Sequence, residues 1–356
     1  MLALLLLLGC PGPSPEPADC DDPGTICTIA GAGMNGYNGQ NLPATETWMY
    51  FPSALAWHPD GRLVIDDYNN FLVRALEPDG TLSTLVGSYL HAYANEGPAL
   101  ESPLENPVDI AFTEDGRLLI AELHSGRILQ VDSDGWLSIV AGTGEIGYAG
   151  DGGPAVVAEL GESSGVISDG DGGFLIADTD YSCLRRVGAD GIIRTAAGNG
   201  QAGLVDGVGG MLSGPQHMHR AGDIVYVADA NNHAIRAYDL STGELDTLVG
   251  DGVEGFTGDG GPAGQARLHT PWGMSTDPEG RLWIADSLNN RVRRVDADGT
   301  IHTLVGAGTS GYSGDGGPAL DAELNFPADL LFDEDGNLYI ADMGNGSVRR
   351  VAGPLD

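Results

Sequence analysis

The chain has 356 residues, of which 51 are acidic and 16 are basic, so its formal charge at pH 7 is −35. It contains 56 glycines, many of them in Asp-Gly pairs, which predicts an all-β protein rich in tight turns. A surface this acidic repels phosphate backbones, which excludes nucleic acid as a partner and favours divalent cations or basic proteins.

The N-terminus reads MLALLLLLGC, an apolar run that is shorter than the roughly 20 residues of a membrane-spanning helix. It resembles the end of a bacterial lipoprotein signal, in which small residues precede a cysteine that becomes lipidated. The resemblance implies a signal at residues 1–10, lipidation of Cys10 and anchoring in the outer membrane. Membrane contact would then occur only through the lipid. No Lys or Arg precedes Cys10, which departs from such signals, and a secretory signal without lipidation is the alternative.

Residues 11–24 form a proline-rich tract that reads as a spacer between the anchor and a folded domain. Cys20 and Cys27 lie close together in this region. In an exported protein we expect them to form a local disulfide. The folded domain is predicted to extend over residues 25–356.

One unit is repeated six times along that domain. A short apolar strand recurs as TIAG at 28, TLVG at 84, IVAG at 139, TAAG at 195, TLVG at 247 and TLVG at 303. The intervals are 56, 55, 56, 52 and 56 residues, a period typical of propeller blades or a β-solenoid.

Four strands are predicted in each unit, as residues 271–306 illustrate. Asp-Gly or Glu-Gly turns follow strands one and three, while a longer turn follows strand two. The turns after strands one and three therefore share one face, here called the short-turn face. The turn after strand two and the connection to the next unit are expected on the opposite face, the loop face.

The predicted fold is an all-β, six-bladed β-propeller with four antiparallel strands in each blade. The last unit ends after its third strand. TICTIAG at 25–31 has the pattern of a fourth strand but precedes the first complete unit. We therefore expect the N-terminal strand to complete the last blade and close the ring, which removes free sheet edges. A monomer is expected.

The segments LYIADMGNGSVRRV at 338–351, LWIADSLNNRVRRV at 282–295 and VYVADANNHAIRAY at 225–238 resemble NHL repeats. The similarity is greatest to the bacterial and teneurin-type subset, because GDGGPA recurs between units at 150–155, 258–263 and 314–319. The resemblance implies the propeller fold. Function stays open, since such propellers serve as scaffolds, receptors, lyases and lactonases.

Two recurring groups of acids are candidates for a ligand-binding face, together with Trp272. One group ends strand two in each blade: Asp67, Glu122, Asp178, Asp229, Asp286 and Asp342. The other lies in the GDGGPA loops: Asp151, Asp259 and Asp315. A ring of such acids could attract cations. The alternative is structural, with the acids bonded to turn amides and to the arginines of strand three.

A candidate metal site lies at the start of strand one. The equivalent position reads Ala54, Asp109, Gly165, His217, Gly273 and Asp329 in the six units. Alternate blades of a six-membered ring are about 120° apart, so Asp109, His217 and Asp329 should converge at the mouth of the channel on the loop face. Two carboxylates and an imidazole suit a divalent metal ion, and the candidates are zinc and calcium.

Two functions follow. The favoured one is a surface-anchored binding or scaffold propeller that holds a protein, peptide or glycan on its loop face, because no complete catalytic set is recognised. The alternative is a metal-dependent lyase or lactonase-like hydrolase with its site at the channel mouth.

Overall fold

The computed structural model describes residues 20–355. The predicted signal, Cys10 and residues 11–19 of the spacer lie outside the described residues. Within residues 20–355, no helix is both long enough and apolar enough to span a membrane.

Six antiparallel sheets form the six blades of a β-propeller, which confirms the predicted fold class. Strand one is innermost in each blade: Pro52–Trp57, Pro107–Phe112, Ser163–Ser168, Pro215–Ala221, Met274–Thr276 and Pro327–Phe332. Strand two follows: Leu63–Asp67, Leu118–Glu122, Phe174–Asp178, Ile224–Asp229, Leu282–Asp286 and Leu338–Asp342. Strand three is next: Leu72–Leu76, Arg127–Val131, Cys183–Val187, Ala234–Asp239, Arg291–Val295 and Ser347–Val351. Strand four is outermost: Thr81–Val86, Trp136–Ala141, Ile193–Gly198, Leu245–Val249, Thr300–Val305 and Thr25–Ala30. Blades are numbered one to six in the chain order of strand one.

Apolar side chains fill the spaces between neighbouring blades. Between blades one and two, for example, Val64 and Val73 share a buried cluster with Ile110 and Ile120. Strand two is buried along nearly its whole length, since blades cover both of its faces. This explains why strand two is an almost continuous apolar run that ends in one acid.

The N-terminal strand Thr25–Ala30 pairs antiparallel with Ser347–Val351, so the first and last parts of the described chain share blade six. A disulfide joins Cys20 to Cys27, and the guanidinium of Arg350 lies 2.9 Å from the carboxylate of Asp21. These contacts fix the segment that leads into the strand.

The GDGGPA connections take a different path from the predicted one. They leave strand four on the loop face, but they then run along the outer edge of the next blade. In blade six, for example, Gly317 and Pro318 pair with Ile26 and Thr25, at the start of strand four. Such two-residue outer strands occur in four blades: Leu42–Pro43, Gly97–Pro98, Gly261–Pro262 and Gly317–Pro318.

Short 3-10 helices occur at two kinds of turn. Those after strand two are Tyr68–Asn70, Ala230–Asn232, Ser287–Asn289 and Met343–Asn345. Those in the connections are Ala44–Glu46, Ala155–Val157, Ala263–Gln265 and Ala319–Asp321. The helix after Pro318 is only three residues long, and Pro318 itself is extended. A proline that pairs with the outer strand cannot also begin the helical turn.

Candidate functional site

A funnel of about 280 Å³ occupies the centre of the ring. Strand one of all six blades forms its walls. The walls extend from the level of Asp109, His217 and Asp329 to the level of Trp57, Phe112 and Ser168. Those last residues end strand one and precede the short turns. The funnel therefore extends from its base toward the short-turn face.

Asp109, His217 and Asp329 converge at the base of this funnel. His217 Nδ1 lies 3.7 Å from Asp329 Oδ1 and 4.0 Å from Asp109 Oδ1. The three side chains are almost fully buried. Sequence equivalence therefore identified three residues that the fold brings together, and their role in binding stays a prediction.

Small residues in the other blades make room for this convergence. A Cβ atom on Gly165 would lie 2.5 Å from the Gln216 carbonyl oxygen, and one on Gly273 would lie 2.4 Å from that of Ala328. Neighbouring inner strands thus approach too closely for a side chain at these positions. Larger side chains are accommodated only in alternate blades.

Both carboxylates are oriented by backbone amides of the next blade. The Leu55 amide donates to Asp329 Oδ2 and the Val166 amide donates to Asp109 Oδ2, each at 2.8 Å. The Ile110 amide also donates to Asp109 Oδ1, at 2.9 Å. The carboxylates therefore join adjacent blades while each directs Oδ1 toward His217.

His217 is the one member of this trio whose polar atoms lack partners. It is 2% exposed, and neither ring nitrogen makes a hydrogen bond of normal geometry. Burial opposes its protonation, but the carboxylates of Asp109 and Asp329 outweigh burial and raise the pKa of His217. Burial also raises the pKa of Asp109 to about 7.

Trp272 immediately precedes Gly273, the residue of blade five at the level of the funnel base, and lies on the loop-face side of it. Its ring is edge-on to His217 at 6.2 Å and to Phe326 at 5.2 Å between centroids. The ring therefore lies beside the base on the loop-face side, whereas the funnel extends from the base toward the short-turn face rather than the loop face where the opening was expected. Among residues 20–355, no group of three or more His, Cys, Asp and Glu side chains is arranged to hold a metal ion.

The six acids that end strand two are buried rather than displayed on a surface. Each accepts a hydrogen bond from the backbone amide of a residue that precedes strand one of its blade: Tyr50 for Asp67, Glu105 for Glu122, Gly161 for Asp178, Ser213 for Asp229, His269 for Asp286 and Asn325 for Asp342. Burial is the largest influence on these carboxyl groups and raises their pKa values. Their placement favours the structural interpretation.

Five of these acids face a buried arginine on strand three. The distances between the charged groups run from 2.9 Å for Asp229–Arg236 to 3.9 Å for Asp178–Arg185. The other three pairs are Asp67–Arg74, Asp286–Arg293 and Asp342–Arg349. Blade two differs, because Leu129 occupies the equivalent position opposite Ile120, so Glu122 has no such arginine.

The same arginines hold the GDGGPA loops. Asp151, Asp259 and Asp315 each lie 2.7 Å from a strand-three guanidinium, and each of these acids is roughly half exposed. The loop aromatic stacks on the same guanidinium, with Tyr312 at 5.3 Å from Arg349, for example. The repeated loop is therefore a clamp on the outer edge of the blade.

An exposed aromatic patch on the loop face was not found from the sequence. It comprises Tyr37, Trp48, Tyr89, Leu90 and Tyr93, from the connections that lead into blades one and two. The rings of Tyr37 and Tyr89 stack at 4.2 Å, while Leu90 is 62% and Tyr93 is 55% exposed. The available signal was that these two connections depart from GDGGPA and carry extra aromatic residues.

Comparisons with known proteins agree with this architecture. The family model for the teneurin NHL domain matches residues 242–311. Human teneurin-1 is 27% identical over 373 residues; the match covers 93% of this chain and 13% of teneurin-1, so the chain spans a small part of that relative.

Two solved structures show the same fold at lower identity. An auxiliary nutrient binding protein from Bacteroides thetaiotaomicron is 17% identical with a TM-score of 0.68, covering 93% of this chain and 76% of its own. A gluconolactonase from Xanthomonas campestris is 18% identical with a TM-score of 0.58, covering 95% and 97%. The chain is a six-bladed β-propeller, and it is similar to the teneurin NHL domain over residues 242–311.

Proposed function

We propose that this protein is an exported binding propeller that recognises a basic segment of a partner protein through the aromatic patch. The observation that carries the proposal is the exposure of Tyr89, Leu90 and Tyr93 side by side on one loop. Exposed apolar patches on a rigid scaffold are typical of interaction sites, and tyrosine is enriched in them.

Charge favours a basic partner. The chain carries a formal charge of −35, and five of its ten strand-three arginines are fully buried, so these five are withdrawn from the surface. Arg and Lys side chains of a partner would gain from the acidic field and from stacking on tyrosine rings. The similarity of fold to a nutrient binding protein supports a binding role in general terms.

The patch can be tested with a peptide of alternating Arg and Leu, its Glu-Leu counterpart and an oligosaccharide such as cellohexaose. We expect the Arg-Leu peptide to bind the wild type and to bind a Tyr89→Ser, Tyr93→Ser variant at least tenfold more weakly. A Trp136→Ser, Leu320→Ser variant is the control, because it makes similar polar changes at exposed side chains elsewhere. Equal weakening in the control, or patch-dependent binding of the oligosaccharide alone, contradicts the proposal.

Export and anchoring are a separate proposal, supported by the lipoprotein-like N-terminus. Cys10→Ala should move the protein from the membrane fraction to the soluble exported fraction. Unchanged partitioning into detergent contradicts lipidation. Enrichment in the inner rather than the outer membrane contradicts only the proposed destination.

The alternative of a metal-dependent lyase or hydrolase requires a stoichiometric divalent ion at the funnel base. Metal analysis after dialysis against zinc, manganese or calcium distinguishes the two functions. Wild-type protein that retains one ion for each chain favours the enzyme.

A further inference from the structure

The funnel base combines negative charge with polar atoms that lack partners. Asp109 Oδ1 and Asp329 Oδ1 face His217, whose two ring nitrogens are buried without hydrogen-bond partners. A buried polar atom without a partner costs free energy, about as much as a lost hydrogen bond. The site is also reached from solvent through the funnel. These features indicate a ligand.

The spacing of the acceptors lies between the spacings that suit zinc and an ammonium group. A tetrahedral zinc ion with bonds of about 2.0–2.2 Å brings its ligand atoms to about 3.4 Å from one another. Here they are 3.7 and 4.0 Å apart, and both oxygens face the same imidazole nitrogen. An ammonium group donates at about 2.7–2.9 Å to acceptors about 4.6 Å from one another, so the choice between the two cations depends on the funnel walls.

The funnel walls indicate what the cation carries. Ala56, Ala111, Ile167 and Leu331 line the funnel above the base, two residues along strand one from the base position, together with His219. Trp57 and Phe112 lie at the wide end, and Phe332 packs beside Trp57, whose indole donates to the Phe332 carbonyl at 2.7 Å. A ligand of this shape has a charged head and an apolar body.

We propose that the funnel binds a small organic cation, a primary amine with an aromatic or branched apolar body. Its ammonium group donates to Asp109 Oδ1, Asp329 Oδ1 and His217 Nδ1 at the base. This site is distinct from the aromatic patch, since it opens on the short-turn face. It does not depend on the function proposed for the patch.

The experiment compares three probes with the same body: phenethylamine, 2-phenylethanol and 3-phenylpropanoate. Each is titrated into the full chain by ligand-observed NMR and calorimetry. We expect saturable 1:1 binding of phenethylamine alone. Asp329→Asn should weaken it at least tenfold while keeping an acceptor for the Leu55 amide.

Two further variants complete the test. Asp335→Asn is the matched control, because it removes one exposed acid on the short-turn face outside the funnel. His217→Gln is the second test variant should Asp329→Asn fail to fold. The proposal is overturned if no amine binding saturates, if Asp335→Asn weakens binding as much as Asp329→Asn, or if zinc or manganese binds 1:1 in an Asp329-dependent manner.

Discussion

The five strand-three arginines are fully buried, yet each makes polar contacts on both sides. Arg293, for example, donates to the carbonyls of Arg267 and Thr257 at 2.9 Å and to Asp259 at 2.7 Å, while Asp286 lies 3.7 Å away. Because a planar guanidinium offers five donors, one side chain joins the blade acid, the inter-blade connection and the loop. Lysine, with one compact charged group, could not make these contacts, and the chain contains none.

Arg293→Met should therefore lower the free energy of unfolding by about 3–5 kcal/mol, since it leaves the buried Asp286 carboxylate without a charge partner. Asp259→Ala should cost only about 1 kcal/mol, because Asp259 is 41% exposed and water replaces its contact. Chemical denaturation of both variants measures the difference. Equal costs would contradict the view that the arginine serves chiefly to compensate the buried acid.

A substitution at Glu122 should raise stability rather than lower it, because blade two lacks the strand-three arginine. Burial raises the pKa of Glu122 from 4.5 to about 7. The folded protein therefore holds a proton between pH 4.5 and 7 that the unfolded chain does not hold. Unfolding releases this proton, so the contribution of Glu122 to stability falls as pH rises through that window and stays low above it.

Glu122→Gln should stabilise the protein at pH 8 by about 2–3 kcal/mol and leave it nearly unchanged at pH 4.5. Asp342→Asn is the control: burial also raises the pKa of Asp342, to about 6, but this change leaves Arg349 without its buried partner, so it should stabilise the protein at pH 8 less than Glu122→Gln does. Thermal melts across this pH range test the pair. A stabilisation that does not vary with pH would show that Glu122 is ionised in the fold.

The inter-blade connection is the element whose path the sequence did not reveal. The sequence repeat predicted the strands, because apolar strand segments separated by turn residues recur at the same positions in every unit. It did not predict that Gly317-Pro318 would pair with the outer strand, since two residues carry no strand pattern. Equivalent positions in strand one correctly predicted that Asp109, His217 and Asp329 converge. The repeat pattern did not indicate that the funnel would extend from the base toward the short-turn face.

The N-terminal strand is a second element with a testable role. Deleting residues 20–31 removes strand four of blade six and leaves the edge of Ser347–Val351 unpaired. Exposed edges pair with other chains, so the truncated protein should aggregate and melt at a lower temperature. Size-exclusion chromatography and thermal melts measure both effects. A truncated protein that remains monomeric and melts as before would show that the strand is dispensable for the ring.

For the molecule as a whole, repulsion between negative surface charges opposes the folded state. The formal charge of −35 is spread over a ring in which five of the 16 arginines are fully buried, so the acidic surface groups repel one another. The buried pairs respond little to salt, whereas repulsion across the surface is screened as the Debye length falls from about 30 Å at 0.01 M to about 8 Å at 0.15 M.

Raising sodium chloride from 10 to 150 mM should therefore raise the melting temperature by several degrees. Potassium chloride at equal ionic strength is the control and should act alike. A fall in melting temperature would mean that exposed ion pairs contribute more than repulsion. A much larger effect of calcium at matched ionic strength would instead reveal a specific divalent site.

The outer strands of Gly97–Pro98 and Gly317–Pro318 also limit how this ring can assemble with other chains. Proline has no amide hydrogen to donate, and the two-residue segments occupy the edge that an incoming strand would need. Strand pairing by a partner is therefore blocked at the first two residues of strand four in these blades, and β-augmentation there would have to begin farther along the strand.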